Sequence, residues 1–176
     1  MMKPHLSHAV IVDDDRSSLE AMGFLLRRAG FTRVARFARA DEALAYVKRH
    51  GADLIVSDFQ TAPMNGLAFL RAVRCHPRLW RAPFLMVAAS RDETQWKLSI
   101  EFGVTEFLFK PLSARDFRDA IATCADAASP PRSAREIVRT GLATGIASAA
   151  VCASALKRKA FLRLAAARDD PAPRTR

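Results

Sequence analysis

Five short runs of apolar, largely β-branched or aromatic residues recur along the first 130 or so positions, and each leads into a stretch with helical spacing. Ala9-Val10-Ile11-Val12 is the first run. It is followed by Arg16 to Ala29, in which Leu19, Met22, Phe24, Leu25 and Leu26 predict a helix that Gly30 caps. Val34 to Phe37 is a weaker strand. Ala40 to His50 then presents Ala43, Leu44 and Val47 on one face, with Gly51 closing the helix. Leu54-Ile55-Val56 is apolar without alternation, as expected of a strand buried on both faces in the middle of a parallel sheet. A turn-rich segment, Phe59 to Gly66, separates it from a third helix carrying Leu67, Leu70, Ala72 and Val73. Pro83 to Ala89 predicts the fourth strand, Asp92 to Phe102 the fourth helix and Glu106 to Phe109 the fifth strand. Ser113 is placed to cap a fifth helix to about Ala125 with Phe117, Ile121 and Ala122 inward. Five strand-helix units imply an α/β fold with a doubly wound parallel sheet.

The pattern changes after Ala128. Residues 129–132 (Ser-Pro-Pro-Arg) read as a stiff linker, so that residues 1–128 form one domain. Residues 133–168 are alanine-rich, with Val138, Leu142, Ile146, Ala149, Ala153, Leu156, Ala160 and Leu164 at three- and four-residue steps. They predict a C-terminal helix with a shallow apolar stripe, and residues 169–176 a disordered tail. Charge separates the same two parts. The chain carries a formal +10, of which +7 falls on residues 132–176, so the globular part is not a basic nucleic-acid-binding body. The stretch Thr140 to Leu156 is uncharged and contains Gly141 and Gly145 in a G-x-x-x-G spacing. At seventeen weakly apolar residues it is short for a membrane span, and a self-associating or partner-docking helix fits it better than membrane contact. No strand or second capped helix is visible there, which argues against a helix-turn-helix output domain. Cys75, Cys124 and Cys152 show no metal-ligand or disulfide spacing, and the start of the chain lacks the apolar region of a signal peptide; a reducing cytoplasm is expected.

Candidate chemistry collects where strands end. Asp58 stands at the carboxyl end of the third strand, and Asp13, Asp14 and Asp15 follow the first. In open α/β sheets ligands gather just outside the carboxyl ends of the strands, so neighbouring first and third strands would bring several carboxylates together. Such a cluster needs protons or a cation to offset its repulsion, and hard oxygen donors suit Mg²⁺. Asp15 is expected to be a solvated charge. Lys110, at the end of the fifth strand and before Pro111, is the basic residue placed to reach the cluster. His5, His8, His50 and His76 are scattered, and Trp80 and Trp96 read as packing residues.

The motifs Val12-Asp13-Asp14, Ser57-Asp58, Met64-Asn65-Gly66 and Phe107-Leu108-Phe109-Lys110-Pro111, in this order, give residues 8–127 a resemblance to response-regulator receiver domains of the chemotaxis type. The resemblance implies a flavodoxin-like sheet of order 2-1-3-4-5. It implies that Asp58 is the phosphoacceptor for a histidine kinase or phosphotransfer protein, and that Asp13, Asp14, Asp58 and the backbone carbonyl of Gln60 hold Mg²⁺. Lys110 would contact the phosphoryl group, a cis Pro111 would aim it, and Phe107 would be the mobile switch aromatic. Two positions depart from the family pattern. Ala88 replaces the usual Thr or Ser at the end of the fourth strand, and Ala62 replaces the usual proline four residues after the phosphoacceptor, with Pro63 one later. Two functions follow from these residues. One is a phosphorylated switch acting on a downstream protein; the other is an adaptor or phosphate sink working through the C-terminal helix, for which the missing hydroxyl at Ala88 speaks.

Overall fold

The computed structural model describes residues 7–128. The linker, the C-terminal helix, its G-x-x-x-G and the tail expected from the sequence all lie outside the described residues. Five strands alternate with five helices: β1 (His8–Val12), α1 (Arg16–Arg28), β2 (Arg33–Phe37), α2 (Ala40–His50), β3 (Leu54–Asp58), α3 (Gly66–Arg74), β4 (Phe84–Ala88), α4 (Glu93–Glu101), β5 (Glu106–Phe109) and α5 (Ala114–Ala128). All strand pairings are parallel, in the order β2-β1-β3-β4-β5. The first crossover goes one way from β1 and the later ones go the other, so the chain's switch point lies between β1 and β3.

β1, β3 and β4 are buried at every position, as their unbroken apolar runs demand, whereas the edge strand β2 is half exposed. On one face of the sheet, Leu19, Met22 and Leu26 of α1 and Phe117, Ile121 and Cys124 of α5 pack on Ile11, Val56, Leu85 and Val87. α2, α3 and α4 cover the other face, where Phe69 of α3 meets Phe84 of β4 edge-on with ring centroids 5.5 Å apart. Full burial of a side chain of this size contributes about 1.5–3 kcal/mol.

Three details of the helical faces go beyond the sequence expectation, and the last corrects it. Phe24 is 58% exposed, because it falls outside the Leu19–Met22–Leu26 stripe, and Arg28 covers its ring instead. In α3 the buried residues are Phe69, Leu70 and Val73, while Leu67 and Ala72 are only half-buried. In α5, Ala122 is exposed and the inward stripe runs through Phe117, Ala120, Ile121 and Cys124, one helical step away. The expected ends hold. Gly30, at a φ of 100°, closes α1 with Gly30 N–H donating to Arg27 O and Phe31 N–H to Leu26 O, the paired bonds of a Schellman motif. Ser113 Oγ accepts from Asp116 N–H at 3.0 Å at the start of α5.

Arg74 was not singled out by the sequence. Its Nε donates to Gly103 O at 2.9 Å and its Nη1 to Ala82 O at 2.8 Å, tying α3 to the segments before β4 and β5. Burial lowers its pKa to about 10.

Candidate functional site

β1 and β3 are hydrogen-bonded neighbours, so their carboxyl ends deliver Asp13 and Asp58 side by side. Both are buried, Asp13 completely and Asp58 at 5% exposure. Lys110, carried in by the end of β5, sits between them: its Nζ lies 2.8 Å from Asp13 Oδ2 and 2.7 Å from Asp58 Oδ1. One ammonium therefore bridges two carboxylates separated by 45 residues of chain. Each carboxylate has a second anchor. Asp13 Oδ1 accepts from Asp15 N–H at 2.9 Å, and Asp58 Oδ2 accepts from Gln60 N–H at 2.6 Å.

These contacts set the electrostatics. Burial pushes the Asp13 carboxyl above the usual carboxylate range, despite its bonds to Lys110 and the Asp15 amide; the Asp58 charge adds to the rise. Burial also works against the Lys110 charge, but the bonds to Asp13 and Asp58 outweigh it and hold the ammonium above its ordinary pKa. The site is thus a short-handed charge cluster, with two buried carboxylates and one cation.

The backbone around the pair is fixed from several sides. Lys110 N–H donates to Ala88 O at 2.8 Å, which ties the end of β5 to the end of β4. Phe59 N–H donates to Val87 O at 2.7 Å, and Gly66 N–H to Phe59 O at 2.9 Å, so the loop after Asp58 closes back on its own start. Gly66 is required there: a Cβ on it would run into the backbone carbonyl oxygen of Asp58 and come within 2.8 Å of Met86 Sδ. Thr61 Oγ1 donates to Met64 O at 2.8 Å within the same loop. Lys110–Pro111 is cis, as expected, and so is Ala62–Pro63, which the sequence reading did not anticipate.

The remaining candidates fall out as follows. Asp14 is exposed beside the pair and takes no part in the lysine bridge. Asp15 is not a mere solvated charge but the N-cap of α1: its carboxylate accepts from Ser17 N–H, Ser18 N–H and Ser18 Oγ, and those bonds hold it below the usual carboxylate range. The signal was present in the sequence, since Asp15 immediately precedes the first helical residue. Ala88 is buried at the end of β4, paired with Phe109, and offers only a methyl group. Phe107 is 8% exposed and tilts against Phe109, ring centroids 5.1 Å apart.

Among the described residues, no three His, Cys, Asp or Glu side chains come together as a ready-made metal cluster. The donors nevertheless fit a hard cation of magnesium type, which is commonly held by one or two carboxylates and completes its shell with water. Asp13 and Asp58 are such a pair, with the exposed Asp14 and the Gln60 backbone beside them. Chemically the arrangement presents a carboxylate oxygen of Asp58 at the carboxyl end of the sheet, positioned by an amide and a lysine.

Comparison with known proteins agrees with this geometry. A family model described as the response regulator receiver domain matches residues 9–122. The chemotaxis protein CheY of Pseudomonas aeruginosa is 33% identical over 112 residues, covering 64% of this chain and 90% of that protein. The probable chemotaxis protein CheY of Rhizobium etli is 27% identical over 112 residues, covering 64% and 87%. Among solved structures, the chemotaxis response regulator CheY4 of Vibrio cholerae superimposes with a TM-score of 0.63 at 26% identity, covering 68% of this chain and 98% of that one. A five-stranded parallel sheet of order 2-1-3-4-5, an acidic pair at the switch point and a matching family model over most of the chain lead to one conclusion: the chain belongs to the response-regulator receiver-domain family.

Proposed function

We propose that the chain is a phosphoacceptor response regulator of a two-component phosphorelay, and that Asp58 takes the phosphoryl group from a histidine kinase or phosphotransfer protein. The observation that carries this reading is the Lys110 bridge between Asp13 and Asp58, at 2.8 and 2.7 Å. A carboxylate oxygen of Asp58 attacks the phosphorus, the P–N bond to the donor imidazole breaks, and the imidazole nitrogen keeps the electron pair and takes up a proton. The phosphoryl group is left on Asp58 as an acyl phosphate. Positioning and charge neutralisation supply most of the catalysis in such transfers. The Asp58 oxygen held by Lys110 is the one aimed by a side chain; the other is held by the Gln60 amide. On arrival of the phosphoryl group, Lys110 exchanges its contact with Asp58 for one with a phosphoryl oxygen while Asp13 retains the other side of the ammonium. Mg²⁺, held by Asp13, Asp14, Asp58 and the Gln60 carbonyl, would supply further neutralisation of the phosphoryl oxygens. The protein is then a cytoplasmic signalling protein rather than an enzyme with its own output reaction. It acts on a downstream protein, and residues 133–168, whose sequence pattern predicts a helix, serve self-association or partner docking.

Intact mass after incubation with Mg²⁺ and acetyl phosphate tests the reading. A hydroxylamine-labile adduct of one phosphoryl group is expected in the wild type and not in Asp58→Asn. A second reading, an adaptor or phosphate sink acting through the C-terminal helix, is favoured by one observation: the methyl of Ala88 stands where a hydroxyl would couple the phosphoryl group to the switch. Loss of the adduct together with loss of Mg²⁺ binding would leave the adaptor as the working account.

A further inference from the structure

Besides the Mg²⁺ proposed above, the site has one cationic side chain, Lys110, for the charge it is proposed to receive. Asp13 and Asp58 share that lysine, Asp14 is exposed beside them, and a phosphoryl group adds further negative charge. β4, which ends beside Asp58 in the sheet, contributes only the Ala88 methyl. The next basic side chain along that loop is Arg91, three residues past Ala88 and two before the start of α4. The loop is short and its far end is fixed, because Asp92 caps α4 by accepting from Thr94 N–H at 2.8 Å. Arg91 is exposed, and its guanidinium rests over the Phe109 ring, 5.4 Å from the centroid. Among the described residues no carboxylate pairs with it. Phe109 is in turn the register partner of Ala88 and the residue immediately before Lys110. The unpaired guanidinium is therefore parked on a ring one residue from the site's lysine, on the loop that follows the missing hydroxyl.

We propose that Arg91 is a phosphoryl-contacting residue that takes over the donor role absent from Ala88. This rests on the reading of Asp58 as the phosphoacceptor. An exposed cation over a ring is held weakly, whereas a guanidinium donates paired, charge-assisted bonds to phosphoryl oxygens, so arrival of the phosphoryl group draws Arg91 off Phe109. Phe109 tilts against Phe107, and the departure of Arg91 uncovers that aromatic pair. Loading of Asp58 is thereby linked to the face of β5 without a hydroxyl at position 88.

The test uses the full chain as wild type, Arg91→Ala, Arg91→Gln and Arg91→Lys. Two quantities are read with Mg²⁺ present: the rate of adduct formation from acetyl phosphate by intact mass, and the affinity for beryllofluoride, a phosphoryl mimic, from tryptophan fluorescence. Arg91→Ala and Arg91→Gln are expected to lose about tenfold in both, as for removal of a charge-assisted bond, with Arg91→Lys in between. Mg²⁺ affinity without a phosphoryl mimic and the thermal midpoint should stay at wild-type values, which a merely structural role for Arg91 would not leave untouched. A normal wild-type adduct on Asp58 with all three variants equal to wild type overturns the inference and leaves the Asp58 reading intact. A wild type that takes no phosphoryl group overturns both.

Discussion

Replacing Lys110 with Met removes the one cation between Asp13 and Asp58 while keeping most of its apolar stem. Two carboxylate oxygens within 2.8 Å of the same nitrogen lie within about 5.5 Å of each other. At an effective dielectric of about 20, their bare repulsion is about 3 kcal/mol. That agrees with the roughly 3–5 kcal/mol typical of stripping one partner from a buried ion pair. The fold answers by taking up a proton between the two carboxylates, so Lys110→Met becomes more stable as the pH falls. The sign follows from linkage: a carboxylate whose folded-state pKa is raised gives a folded state that binds protons more readily than the unfolded chain, and stability is lost as the pH rises through that pKa. Urea unfolding near pH 5 and pH 8 without Mg²⁺ measures both effects. The expected result is a loss of about 3 kcal/mol at the higher pH, a smaller loss at the lower, and recovery at both when Asp13→Asn is added. A Lys110→Met protein as stable as wild type at the higher pH, or one destabilised equally at both, would refute the account of the site as a charge cluster held by one lysine.

Two further outcomes follow from particular contacts. Gly66→Ala should destabilise the protein by about 2 kcal/mol or more and slow the phosphorylation proposed for Asp58, because the added Cβ meets the Asp58 carbonyl oxygen and Met86; urea unfolding and the intact-mass assay read the two effects. A variant as stable as wild type would show that the loop yields easily. His8 is buried under Tyr46, and burial, with Arg33 and His50 contributing and Asp53 opposing, holds its pKa below the ordinary value. A histidine depressed in the folded state costs stability as the pH falls below its unfolded pKa of about 6.5. His8→Gln should therefore flatten the decline in stability between about pH 7 and pH 5, and an unchanged slope would remove His8 from it.

Much of this architecture was legible because each feature was written locally. The apolar runs of β1 and β3 needed no partner to be recognised, and Asp13, Asp58 and Lys110 stood at their ends. What escaped depended on three-dimensional crowding. Gly66 reads as a turn glycine, and only the approach of the Asp58 carbonyl shows why no Cβ fits. Arg74 looks like any helix-surface arginine until two carbonyls from distant segments close on it. Ala122 reads as inward, and Phe24 as part of the helical spacing of α1, because an apolar residue beside an apolar stripe resembles a member of it, and a step of one residue on a helix turns the side chain by about 100°. Arg91 gives no sign in the sequence, since its neighbour Phe109 is brought to it by the pairing of β4 with β5.

The Lys110 bridge also bears on the order in which the molecule comes together. Asp13 and Asp58 belong to the first half of the described chain, and their cation arrives 97 residues after Asp13. Any assembly of β1, β2 and β3 that precedes β5 holds its acidic end uncompensated, and in that order of assembly the contact closes late and is absent from an early folding nucleus. Interactions made after the barrier govern how long the native state lasts rather than how fast it is reached. Lys110 is on this view a latch, and its removal should shorten the lifetime of the folded protein while leaving the rate of folding nearly as it was.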